Sequence, residues 1–165
     1  MFTNVRSRSL ALAAAALTVG LGSHHALAAS QVGHANAAIV SAINLTETTP
    51  MNLGFIIPGA SAGTLVLSPA GATTPTNVTY LNGAVAGLWN VTGTSGQPMV
   101  VTFDASDLLA GPGPSMTLDT FTTDAPATFT SGSVNFHVGA TLHVGTAAAQ
   151  TAGNYSGSYT VTVNY

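Results

Sequence analysis

Residues Tyr155 to Tyr165 read YSGSYTVTVNY. Odd positions carry Tyr155, Tyr159, Val161, Val163 and Tyr165, while even positions carry Ser156, Ser158, Thr160, Thr162 and Asn164. A period of two is the mark of a strand with one buried and one wet face. The same phase recurs upstream, where Val134, Phe136, Val138, Ala140, Leu142 and Val144 alternate with Asn135, His137, Gly139, Thr141 and His143. Elsewhere short apolar runs at Thr64–Leu67, Val78–Leu81, Leu88–Val91, Met99–Phe103 and Met116–Phe121 are separated by clusters of Gly, Pro, Asn and Asp. Ala37 to Leu45 opens the series with mixed apolar character. About eight or nine strands spaced by roughly 8–12 residues predict an all-β, immunoglobulin-like sandwich, with a jelly roll as the nearest rival. No run after the first 28 residues carries a helical period, and neither an internal repeat nor a second domain is visible.

The first 28 residues read as a leader. Arg6 and Arg8 form a positive start, Leu10 to Leu21 (LALAAAALTVGL) a short apolar run, and Ala26-Leu27-Ala28 a small-x-small cleavage site. The apolar run is well short of the roughly 20 residues that a spanning helix requires. The expectation is a signal peptide over 1–28 and an exported single domain over 29–165, bound for the periplasm, the cell surface or the medium.

Removal of that leader changes the charge balance. Arg6 and Arg8 are the two basic residues of the whole chain, against Glu47, Asp104, Asp107, Asp119 and Asp124. Without Lys or Arg the domain cannot displace counterions from phosphates, which excludes nucleic-acid binding. Electrostatic attraction to anionic lipid fails for the same reason. There is no cysteine, so no disulfide can hold the exported chain together. Its stability must come from packing and from ladder hydrogen bonds.

Several motifs invite chemistry. Gly59-Ala60-Ser61-Ala62-Gly63 matches G-x-S-x-G, and Asp119 with His137 or His143 would complete a triad. A nucleophile elbow requires a helix after the serine, and Thr64-Leu-Val-Leu67 reads instead as strand, which favours a plain Gly/Ser turn. His137 and His143 share the polar face of one strand, six residues and about 20 Å apart, too far to share a zinc ion. They read as solvent-facing, and His34 lies in the segment ahead of the strands. Asp104, Asp107, Asp119 and Asp124 form no calcium loop and suit turns beside strands. Glycosylation sequons occur at Asn44, Asn77, Asn90 and Asn154. Trp89 and Tyr80 could form a sugar-stacking platform, against the alternative that Trp89 is core.

Taken together, Asn52-Leu-Gly54, Gly63 to Gly71 (GTLVLSPAG), Val138 to Leu142 (VGATL) and Gly153 to Tyr165 resemble a bacterial secreted family, domain of unknown function 4402. The resemblance covers roughly residues 35 to 165. The layout is also similar to the spore coat protein U domain of archaic chaperone–usher pilins. Those share an N-terminal alternating segment and a tyrosine-bounded terminal strand. The resemblance implies a β-sandwich in a cell-surface setting and carries no activity with it.

The expected function is that of a non-enzymatic structural subunit of a surface filament or matrix, without cofactor or metal. It would pair with its own copies or with other subunits, and with a periplasmic chaperone, along the edge of the closing strand. Tyr155, Tyr159, Val161, Val163 and Tyr165 are the residues that would form that strand and its buried row. The alternative is a monomeric carbohydrate- or surface-binding module.

The leader reading yields a direct test. Intact-mass spectrometry of the exported protein should give a chain beginning at Ala29, and trypsin should leave that chain uncut even in denaturant. A mass that includes Arg6 or Arg8 would overturn the processing site.

Overall fold

The computed structural model describes residues 29–165, so the leader reading over 1–28 lies outside the described residues. Residues 29 to 37 are exposed and carry no regular structure. From Ala38 onward the chain forms one compact unit of eleven strands. They are β1 (Asn44–Thr49), β2 (Asn52–Pro58), β3 (Gly63–Leu67), β4 (Thr73–Thr76), β5 (Val78–Val85) and β6 (Gly87–Thr92). These are followed by β7 (Val100–Phe103), β8 (Ser106–Leu109), β9 (Met116–Thr123), β10 (Ser133–Val144) and β11 (Val161–Asn164). No helix occurs among the described residues. The fold is an all-β sandwich of antiparallel sheets, with eleven strands where the sequence suggested eight or nine.

Strand β10 organises the large sheet. Its first half pairs with β6, from Ser133 opposite Thr92 to Val138 opposite Gly87. Its second half is flanked on both sides: Thr141 stands opposite Val66 of β3 and Asp119 of β9, and Leu142 opposite Leu65 and Leu118. β1 extends the sheet beyond β6, β4 beyond β3 and β8 beyond β9. The alternation read from sequence holds along the whole strand. Val134, Phe136, Val138, Ala140, Leu142 and Val144 are all buried, and the residues between them other than Gly139 reach solvent in whole or part.

That single row feeds two cores. Val134, Phe136 and Val138 join Val91, Met99 and Phe129 in one cluster, which Val101, Phe103, Val161 and Val163 of the small β7–β11 sheet cover. Ala140, Leu142 and Val144 join Leu65 and Leu118 in the other, beneath Leu53 and Ile56 of β2 and Val78 and Tyr80 of β5. Met51, Phe121 and Tyr159 pack against both clusters and join them. Gly139 sits at the junction. A Cβ there would collide with the carbonyl oxygen of Leu67, so the crossing of β10 from β6 to β3 needs a residue without a side chain.

The β1–β6 and β2–β5 ladders are halves of one antiparallel ladder. Thr49 stands opposite Leu88 and, past a bend at Pro50–Met51 and Ala86, Asn52 opposite Val85. Pro50 removes an amide donor at the bend, and the chain passes there from the large sheet to the opposite layer. A bulge in β9 solves a spacing problem. Leu118 and Phe121 are three residues apart, yet both pack inward. The ladder slips between Gly139 and Thr141, and Thr120 takes up the extra residue with φ at 50°. That is an unfavourable conformation for a β-branched side chain.

Two substitutions should therefore move stability in opposite directions. Gly139→Ala should cost at least about 1–3 kcal/mol in chemical denaturation, because the collision is with backbone. Thr120→Asn should be neutral or stabilising by up to about 1 kcal/mol, since asparagine tolerates the left-handed region. A harmless Gly139→Ala would show that β10 does not cross as described.

Candidate interaction edge at the terminal strand

In the closing stretch Tyr155, Tyr159, Val161 and Val163 are half-buried as the alternation predicts, but Tyr165 is exposed, and only Val161–Asn164 forms ladder. Val161 stands opposite Phe103 and Val163 opposite Val101, in a sheet of β7 and β11 alone. The terminal strand is thus four residues long rather than eleven. Upstream, Gly157 approaches the Leu108 carbonyl so closely that a Cβ would collide with it, and Ser156 bridges Ala110. The chain is there engaged with the end of β8 and is not free to pair with β7.

The five residues singled out in this stretch fall into distinct settings. Val161 and Val163 are half-buried against the first core cluster, with Thr160, Thr162 and Asn164 exposed between and beside them. Tyr159 lies in a chain of rings, stacked on Phe121 at 5.2 Å and meeting Trp89 edge-on at 6.2 Å. Its hydroxyl accepts a 3.2 Å hydrogen bond from Trp89 Nε1. Burial pushes the Tyr159 pKa above 10.0, only partly offset by that bond, with the Glu47 charge adding to the rise. The phenol therefore stays neutral at physiological pH, and the stability tied to its proton is lost only as pH rises through the raised value. Tyr155 packs instead on the Gly111–Gly113 loop and donates to the Thr151 carbonyl at 2.7 Å.

Tyr165 is a clasp. Its ring lies 5.5 Å from Phe129, and its hydroxyl donates to the Ser41 carbonyl at 2.6 Å while accepting from the Thr94 amide at 2.9 Å. The Ser41 amide in turn donates to Thr94 Oγ1 at 2.7 Å. The end of β11 is thereby tied to the arm that leads into β1. Ile43 and Leu45 of that arm and strand pack on the same cluster as Val161 and Val163. β1 pairs only with β6 and β11 only with β7. Each leaves one edge without a strand partner among the described residues.

The other candidates resolve differently. Ser61 is exposed in the turn between β2 and β3, and no helix follows it. Trp89 and Tyr80 pack against different core clusters, and the Tyr80 hydroxyl accepts the Ala84 amide at 3.1 Å, so they form no common exposed platform. Asp104 is exposed, and Asp107 has one buried oxygen without a hydrogen-bond partner. No three His, Asp or Glu side chains converge as a metal site among the described residues.

The histidines face solvent, as the strand reading expects, but each stands beside an aspartate. His143 Nε2 lies 3.0 Å from Asp119 Oδ1, and His137 Nδ1 lies 2.9 Å from Asp124 Oδ2. The sequence located both aspartates but could not show that the β9–β10 register sets each beside a histidine. His137 also donates its backbone amide to Asp124 Oδ1. Partial burial works against the charged carboxylate, but the amide and imidazole of His137 outweigh it and hold Asp124 below the usual 3.8. A depressed folded-state value means that the stabilisation is present above the unfolded carboxyl pKa and is lost as pH falls through the folded one. Both side chains are about half exposed, so the effect is small. Asp124→Asn should therefore flatten the loss of stability between about pH 5 and pH 3, followed by urea midpoints at each pH. An unchanged acid slope would show that the pair carries no linkage.

A family model for a domain of unknown function (DUF4402) matches residues 43–165, from the arm before β1 to the end of β11. No curated protein and no solved structure matches the chain. The match takes in every strand, and the chain belongs to the DUF4402 family.

Proposed function

We propose that the protein is a non-enzymatic structural subunit of a bacterial cell-surface filament or matrix, exported and joined to its neighbours by strand pairing along β11. The observation that carries this reading is the state of the sheet edges. Natural sheets blunt their free edges with charge, proline or bulges, because an open row of amides and carbonyls templates pairing with another chain. β1 carries Glu47 and a bulge at Glu47/Thr49. β2 ends on Pro58 and its partner β5 carries a bulge at Leu81, opposite Phe55/Ile56, β4 contains Pro75, and β8 contains Asp107 and is met by the segment around Ser156. Val161–Asn164 and its partner Val100–Phe103 have no charge, no proline and no bulge, and of the two it is β11 that the Tyr165 clasp ties to the arm leading into β1.

An added strand would gain main-chain hydrogen bonds along β11 and side-chain contact with the core beside it. The partner is another subunit, with a periplasmic chaperone able to hold the same edge before assembly. The reading as a monomeric carbohydrate module has lost its aromatic platform, since Trp89 and Tyr80 are engaged in the cores.

Hydrogen exchange on monomer and assembly tests this reading. In the monomer, alternate amides of Val161–Asn164, those not bonded to β7, should exchange quickly. In the assembled form they should slow by a hundredfold or more. Assemblies in which those amides exchange as fast as in the monomer would rule out pairing along β11.

A further inference from the structure

We propose that the β2–β5 ribbon is a second contact surface, occupied by the same ribbon of another copy of this chain. Four large apolar residues of this ribbon stand in solvent: Phe55 at 67% exposure, Leu81 at 53%, Ile57 at 51% and Val85 at 46%. Their neighbours Leu53, Ile56, Val78 and Tyr80 already cover the second core, so folding has no further use for the exposed four. Exposed apolar residues scattered singly need no explanation, but four on one two-stranded ribbon do.

The surface continues beyond the ribbon. Val85 also lines a shallow groove of about 420 Å³ whose walls include Pro69, Ala70 and Leu88 together with the Asp124–His137 pair, already closed on itself. A protruding side chain from a second molecule would find a hollow beside the ridge. The proline at the end of β2 and the bulge at Leu81 in β5, opposite Phe55/Ile56, make the ribbon's two backbone edges poor ladder templates. The contact is therefore one of side chains, unlike that at β11.

Charge selects the occupant. No Asp, Glu, Lys, Arg or His lies between Glu47 and Asp104, so neither β2 nor β5 carries a charged side chain. A two-fold contact brings each surface against its own copy, where any charge would meet its like. An uncharged apolar surface is self-complementary without further adjustment. On the ribbon itself a charged partner would find nothing to pair with. Anionic lipid finds no Lys or Arg, and the ribbon has no interfacial Trp, while its one Tyr, Tyr80, is turned to the core. Four side chains from each copy fall short of a standard stable interface, so the contact is weak alone and gains when copies are already linked.

Sedimentation equilibrium of the purified protein at rising concentration tests the proposal. The wild type should show a reversible dimer, with association visible above about 100 μM, as a small interface implies. Ile57→Ser and Leu81→Ser should each raise the dissociation constant at least tenfold, with an unchanged thermal midpoint. The dimer should form while the β11 amides still exchange quickly, which separates this contact from pairing at β11. A monomer up to about 1 mM, or a dimer indifferent to both substitutions, would overturn the proposal. So would co-sedimentation with neutral phosphatidylcholine vesicles that Leu81→Ser abolishes, which would assign the ribbon to a lipid surface.

Discussion

The buried row of β10 is the constraint from which the rest follows. A domain with no disulfide and no ion pair between fixed charges must hold its layers together chiefly by packing, with a few hydrogen bonds such as that of Trp89 to Tyr159. Six side chains from one strand supply both cores, three on each side of Gly139. Every strand of the large sheet is joined to β10 directly or through one neighbour. The absence of a side chain at Gly139 lets β6 and β3 meet the same strand in succession. A side chain there would separate the two halves of the sheet, and with them the two cores.

What the sequence made legible follows from the same physics. β10 was readable because it is long, flanked on both edges and buried on one face, so that its alternation is unbroken. β11 was readable in phase but not in length. The row Tyr155, Tyr159, Val161, Val163 and Tyr165 continues past the ladder, because Tyr155 and Tyr165 pack on loops that a one-dimensional pattern cannot place. β2 did not read as a strand, since Gly54, with φ at 78°, breaks the alternation and only an apolar run remains. β4 carries a proline and β8 only four residues, both below what periodicity can resolve. The Asp124–His137 and Asp119–His143 pairs depend on register across a bulge, which leaves no local mark.

The aromatic residues show how a chain with few large side chains economises. Phe103, Phe121, Tyr159 and Trp89 touch in series, linking β7, β9, the approach to β11 and β6. Gly87 makes room for this arrangement, since a Cβ there would lie 2.5 Å from the Tyr159 hydroxyl. Small residues beside rings recur at Gly93 under Phe129 and at Gly111 under Tyr155. The abundance of glycine in the composition is therefore partly a packing requirement, with each ring filling space that its neighbour leaves.

The same poverty of charge shapes the outside. Without Lys the chain lacks the commonest means of keeping sheet edges apart, and it relies on bulges, prolines and covering loops instead. Those devices appear at the edges of the large sheet and of the β2–β5 ribbon, and are absent from the small sheet of β7 and β11. Of its two strands, β11 is the one held in place by the Tyr165 clasp and backed by the first core. The uncharged ribbon of β2 and β5 packs on the other core, so the two proposed contacts draw on different layers of packing and can act independently. A subunit with one backbone edge and one two-fold side-chain face has two contacts, which suffice to link copies into a linear chain, with the weak ribbon contact reinforced by the pairing at β11.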